Sequence, residues 1–227
     1  MAKKNKQIVN KQINELLIIA GIILFSILFW DSVFIYPIKF FVVILHETSH
    51  AIVTIITGGT VKSIYITSYL GGITKSNGGN SLLIASAGYL GSLIIGALLF
   101  ISAYNSKVRI ITTKVLSVII LLITVGYLKG NISVFFGLLI SIFFFFLPNY
   151  FNKIFASFFL KFIGLISCLY VLTDIKNDLI TTSIRETDAQ VIEFITGIPS
   201  LAVGFLWLVI SLLIVYFLIR YSLRIIR

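Results

Sequence analysis

Apolar residues run along this chain in blocks of about twenty, separated by short polar punctuation. The blocks fall roughly at 14–35, 38–57, 82–104, 109–128, 131–148, 154–175 and 198–220. A helix needs about 20 apolar residues to cross the hydrocarbon core of a bilayer. A segment surrounded by lipid must also satisfy its own backbone as a helix unless it closes a barrel. The pattern therefore predicts an all-α, polytopic membrane helix bundle of about six or seven transmembrane helices, organised as one domain over 1–227. Two stretches break it. Gly58-Gly59 is followed by alternating β-branched and polar residues through Thr67, and Gly71-Gly72 opens a second short run. This reads as a small surface β-hairpin within 58–80. Near the other end, an acidic loop at about 176–196, with Asp174 just before it, gathers Asp174, Asp178, Glu186, Asp188 and Glu193, five of the eight acidic residues.

Composition narrows the class. Hydrophobic residues make up 59% of the chain and charged residues 11%, against about a quarter charged in soluble domains, which leaves no room for a large soluble domain. The formal charge of +10 would suit nucleic acid, but Lys and Arg sit singly at the ends of apolar runs and at both termini. That placement suits the lipid bilayer and its headgroups and points to no nucleic acid. The basic tail at 1–13 and the apolar run behind it resemble the first regions of a signal peptide, yet no small-residue cleavage site follows, so the segment reads as an uncleaved anchor. Seven alternating spans would put Arg220, Arg224 and Arg227 on the side opposite Lys3, Lys4, Lys6 and Lys11; a re-entrant pair at spans four and five, or one misassigned span, is the expectation for bringing the ends together. The expected location is a multi-pass position in a cell membrane, bacterial in character.

The candidate chemistry is concentrated. The chain has two histidines, His46 and His50, with Glu47 after the first. A spacing of four puts both imidazoles on one helical face, where they can share a metal, and Glu47 beside them can hold a water. Ionisable groups within an apolar span are expensive and so mark function; the bland alternative is a polar packing cluster. Cys168 lies alone in an apolar run, so a third metal ligand must be a carboxylate. Asp174 leads by depth. Counting from Lys39 and Lys161, His46 and His50 lie seven and eleven residues into their span, Asp174 thirteen into the sixth and Asp178 seventeen. Asp178 and Asp188 remain as alternative ligands or supporting partners, the bland reading of Asp188 being a helix N-cap. Small residues in Ser86-Ala87-Gly88-Tyr89-Leu90-Gly91-Ser92 and Gly96 would let the third span pack closely on the metal helix.

A membrane-embedded His46-Glu47-Thr48-Ser49-His50, followed by Gly58-Gly59, Ala87-Gly88-Tyr89-Leu90-Gly91, Asp174-x-x-x-Asp178 and Thr187-Asp188-Ala189, resembles the site-2-protease class in its compact metallopeptidase-like branch, over about 40–210. The resemblance implies an intramembrane zinc endopeptidase with zinc as cofactor. His46 and His50 match the metal ligands and Glu47 the catalytic general base or acid. It further implies a membrane-protein or peptide substrate cut in or near its transmembrane segment. The Leu-Asp-Gly stretch in which typical members carry the third ligand has no counterpart here: Leu147-Pro148-Asn149 lacks the following Asp-Gly. Two other readings use the same residues. One is a catalytically inactive membrane scaffold or binding protein of the same fold. The other is a metal permease, against which the aliphatic and aromatic character of spans one, four, five and seven counts. Nothing in the pattern specifies an oligomeric state.

Overall fold

A computed structural model describes residues 2–30, 32–67, 69–180 and 187–227, with side chains from residue 6 onward except at 171–180. Eight helices dominate: α1 (Ala2–Phe29), α2 (Tyr36–Ile56), α3 (Ser81–Ser102), α4 (Ser106–Gly126), α5 (Asn131–Tyr150), α6 (Lys153–Ile180), α7 (Asp188–Thr196) and α8 (Ser200–Ile225). All but α7 hold a stretch long and apolar enough to cross a membrane. The chain is a multi-pass integral membrane protein with an all-α bundle. Asparagines start three of these helices. Asn80, Asn105 and Asn152 accept from the backbone N–H of Leu83, of Lys107 and Val108, and of Phe155, satisfying donors that the first helical turn leaves over.

The expected hairpin is present and gains a third strand. β1 (Thr60–Ile66) pairs antiparallel with β2 (Gly72–Asn77) and parallel with the two-residue β3 (Leu128–Lys129) between α4 and α5, giving the order β2-β1-β3. β3 covers one edge of β1, and Ser133 adds a hydroxyl bond to the Ile66 carbonyl. β2 is left as the edge strand on the side of α2.

Contacts between the helices fix their directions. Glu15 meets Lys161, Phe25 meets Phe162 and Trp30 meets Tyr170, so α1 and α6 run parallel. Ala103 meets Ser157, and Leu93 meets Cys168, so α3 and α6 run antiparallel. Strict alternation would instead make α1 and α3 parallel. The stretch from Trp30 to Ser81, with α2 inside it, therefore makes no net change of side, and the expectation that seven spans alternate is corrected here. Gln12 on α1 donates to the Leu223 carbonyl of α8 at 3.0 Å, which brings the basic segments near both termini to one end. The re-entrant pair considered for spans four and five would not bring the ends together, since two crossings or none leave the chain on the same side; α4 and α5 pack antiparallel, with Ser117 and Ser141 exchanging hydroxyl-to-carbonyl bonds at 2.8 and 3.0 Å.

α3 is the central helix, and glycines set its approach to its neighbours. A Cβ on Gly96 would lie 2.7 Å from the Gly164 carbonyl oxygen, and one on Gly164 would lie 2.6 Å from that of Gly96. Such backbone contact is what small residues supply where both water and lipid fail to drive helices together. Replacing Gly164 with leucine is expected to push α3 off α6 and to cost about 1–3 kcal/mol, the usual penalty of overpacking; thermal unfolding of the purified protein in detergent reads this as a lowered Tm.

Candidate metal centre

α2 delivers the motif. Pro37 sits in its first turn, where a missing N–H costs nothing, and Gly58 at φ 83° ends it in the left-handed conformation that glycine adopts freely. Between them the helix is buried on all sides from Phe40 to Ala51, so His46, Glu47 and His50 face protein rather than lipid. His50 Nδ1 lies 2.6 Å from the Ile84 carbonyl oxygen on α3. A carbonyl only accepts, so Nδ1 carries the proton and Nε2 is the atom left to bind.

Opposite the histidines stands Asp188. Its Oδ2 lies 3.0 Å from His46 Nε2 and 3.2 Å from His50 Nε2, and one ligand atom from each residue falls within 4.8 Å of the others. Asp188 does not cap α7. The N-cap is Thr187, whose hydroxyl accepts from Gln190 N at 3.3 Å while Gln190 Oε1 accepts from Thr187 N at 3.0 Å. This reciprocal capping box leaves the Asp188 carboxylate free to reach across to α2. Burial opposes its charge, but the His50 and His46 imidazoles outweigh that and hold its carboxyl below the usual carboxylate range. Electron-rich atoms this close stay together only with protons or a cation between them. The three residues can hold a metal ion.

Sequence reasoning placed Asp188 behind Asp174. Asp174 and Asp178 lie in the backbone of α6, and their side chains fall outside the described residues. Other supports were named only as packing or not at all. Gly88 faces both imidazoles: a Cβ there would stand 2.4 Å from His46 Nε2 and 2.5 Å from His50 Nε2. Gly91 does the same for Ser49, so the small residues of α3 do pack on the motif helix. Tyr89, fully buried, meets His46 edge-on at 5.2 Å and stacks on Trp207 of α8 at 4.1 Å, which sets the imidazole plane from behind.

Glu47 is clasped by the sheet. Thr74 Oγ1 on β2 donates to Glu47 Oε2 at 2.6 Å, and a Cβ on Gly72 would strike the same carboxylate. Glycine at 72 thus lets the strand lie directly against the acid. Motif, Asp188 and β2 line one cleft of about 830 Å³, walled further by Trp30, Tyr69 and Tyr170. The Gly71-Gly72 pair was the sequence signal for this contact, visible as a turn but silent about its partner.

A bundle of apolar helices with a buried His-Glu-x-x-His, a converging carboxylate and an edge strand over the acid defines a membrane protein of the metallopeptidase type. The chain belongs to the Peptidase M50B-like family, whose model matches residues 18–218. No curated protein and no solved structure matches the chain.

Metal analysis of purified variants tests the centre. Asp188→Ala and His50→Ala are expected to lose most bound metal, and Gly88→Ala to lose at least tenfold in affinity, as a change in ligand support does, while the helical circular dichroism stays. Asp174→Asn, measured alongside, is expected to keep its metal; loss there with retention in Asp188→Ala would transfer the third ligand to α6.

Proposed function

We propose that the protein is an intramembrane zinc endopeptidase that hydrolyses a peptide bond in or near a transmembrane segment of a membrane-protein substrate. The observation that carries this reading is the meeting of His46 Nε2, His50 Nε2 and Asp188 Oδ2 beside Glu47. Nitrogen and oxygen ligands about 2.0–2.2 Å from a tetrahedral zinc stand roughly 3.3–3.6 Å apart; the two histidine-to-aspartate separations, 3.0 and 3.2 Å, come close to that and would widen by a few tenths of an ångström about an ion. Two histidines and one carboxylate also leave a fourth position open, as catalytic rather than structural zinc requires. Bound there, zinc would supply Lewis acidity that makes water nucleophilic near neutral pH and polarises the scissile carbonyl.

The chain's own residues account for the rest. Glu47 takes a proton from the attacking water and delivers it to the leaving amine. Thr74 holds one oxygen of that carboxylate and so fixes which way it faces. His50 keeps its binding nitrogen aimed inward through its bond to the Ile84 carbonyl. Asp188 would add a carboxylate oxygen, Oδ2, to the two imidazole nitrogens it faces.

A substrate helix hides its peptide bonds within its own hydrogen bonds and must be drawn out before cleavage. β2 borders the cleft as an edge strand, and an extended peptide added to that edge would gain main-chain hydrogen bonds where helical ones were given up. The substrate would then lie across Glu47 as a fourth strand of the sheet.

Two measurements test this reading. Glu47→Gln is expected to keep about one zinc per chain and to lose cleavage of a reconstituted transmembrane substrate by about 10²–10⁴-fold; a chain that cuts equally well without Glu47 is not this enzyme. Proline at Lys75 and at Ser76, placed singly, removes one outward N–H from β2, since neighbouring strand residues point opposite ways. One of the two is expected to lower the cleavage rate at least tenfold with zinc content intact, and equal rates in both would rule out strand addition.

A further inference from the structure

The end of the bundle away from the hairpin holds a buried cation that no carboxylate among the described residues balances. Arg109, in the first turn of α4, is 7% exposed. Among the described residues its guanidinium has a single acceptor: Nη2 donates to the Ala103 carbonyl oxygen at 2.7 Å, which Ser157 Oγ also occupies at 2.8 Å. Its buried Nε has no hydrogen-bond partner. A guanidinium carries five N–H donors, never loses its charge in a protein, and is strongly disfavoured when buried without an anion. The neighbouring carboxylate is already engaged. Both oxygens of Glu15 lie 2.7 Å from Lys161 Nζ, and the Tyr104 hydroxyl donates to one of them.

Beside Arg109 lies a cavity of about 390 Å³ whose polar lining is Arg109, Lys153, Lys161 and Ser157, with no acidic residue among the described residues. Its remaining walls are apolar. Ile154 and Phe158, 84% and 47% exposed, carry the cavity onto the lipid-facing surface of the bundle. Arg109 lies at the same end as the basic segments near both termini, because α1 begins and α8 finishes there, joined through Gln12 and Leu223. Lys6, Lys11, Arg220, Arg224 and Arg227 belong to those segments. Such an excess marks the face turned to the cytoplasmic leaflet, where anionic lipids gather.

We propose that this cavity binds one anionic phospholipid, with its phosphate on Arg109 and Lys153 and an acyl chain along Ile154 and Phe158. The planar fork of Arg109 matches two phosphate oxygens, and Lys153 adds a second charge from the rim. A lipid also explains what a free anion does not, namely apolar walls that lead from the charge to the membrane. The site lies far from the metal centre: Gly88 and Ala103 are about 22 Å apart at the helical rise of about 1.5 Å per residue. It stands whether or not the chain is a protease.

The test uses the full chain in a neutral detergent, titrated with phosphatidylglycerol, phosphatidylcholine or inorganic phosphate, with bound lipid counted by native mass spectrometry. One phosphatidylglycerol is expected per chain, retained at least tenfold more tightly than phosphatidylcholine and not displaced by millimolar phosphate. Arg109→Gln and Lys153→Gln are each expected to weaken it about fivefold, the effect of one basic group at a membrane surface, with metal content unchanged. Lys153 is exposed, so its variant reads the site even where Arg109→Gln fails to fold. Equal binding of the two lipids, displacement by phosphate (a solution-anion site only), or undiminished phosphatidylglycerol binding in Lys153→Gln would each overturn the proposal.

Discussion

Four ionisable side chains share one buried space in this protein, and the rest of the structure accommodates that fact. His46, Glu47, His50 and Asp188 cannot be left unsatisfied away from water without a cost of several kcal/mol for each charge. Each therefore has a partner that another element must bring: Ile84 and Tyr89 from α3, Thr74 from β2, Asp188 itself from α7. The glycines follow from the same demand. Gly72 and Gly88 lie where any side chain would occupy the space the carboxylate or the imidazoles need, so their conservatism of size is set by the site rather than by the backbone.

The apolar blocks, the hairpin and the histidine face were legible in the sequence because each is a local pattern: twenty-residue hydropathy, alternation after a Gly turn, and a spacing of four. What was not legible depends on paths through space. Hydropathy measures whether a segment is long enough to span and carries no direction, so the missing change of side at α2 could not be read from it. Asp188 stood in the sequence as an alternative ligand whose bland reading was a helix cap, because Thr187 and Asp188 are both good capping residues. The deciding signal was one step further on, in Gln190: Thr187-Asp188-Ala189-Gln190 is a capping box, which assigns the cap to threonine and releases the aspartate. Depth counting favoured Asp174, whose side chain lies outside the described residues, and it gave no weight to a carboxylate on a nine-residue helix outside the spans, which is where Asp188, the described carboxylate that meets the histidines, sits.

The two ends of the bundle match their buried carboxylates differently. At one end the buried carboxylate of Glu15 is matched to Lys161 and Tyr104, and cations predominate. At the other end Glu47 and Asp188 are matched to imidazoles and a hydroxyl, and the sheet lies over them. A bundle of this kind has an electrostatic direction as well as a hydrophobic thickness, and anionic headgroups on the basic end would hold it at a defined depth.

The path of α2 ties that direction to the proposed chemistry. Because the stretch from Trp30 to Ser81, with α2 inside it, begins and ends on one side, the β2 edge and the cleft lie toward that side, and α3 and α6 pack closely at mid-helix through glycine-to-glycine contact at Gly96 and Gly164. Under the proposed function, water and an unwound peptide would reach Glu47 through the cleft that β2 borders. A substrate helix presented from that side frays at its terminus first, since the last turn of any helix lacks part of its hydrogen bonding. If the chain is the protease proposed, the substrate residues that could reach β2 in extended form would therefore be those at a fraying end of its span, and a cut there would need less unwinding than one in mid-helix.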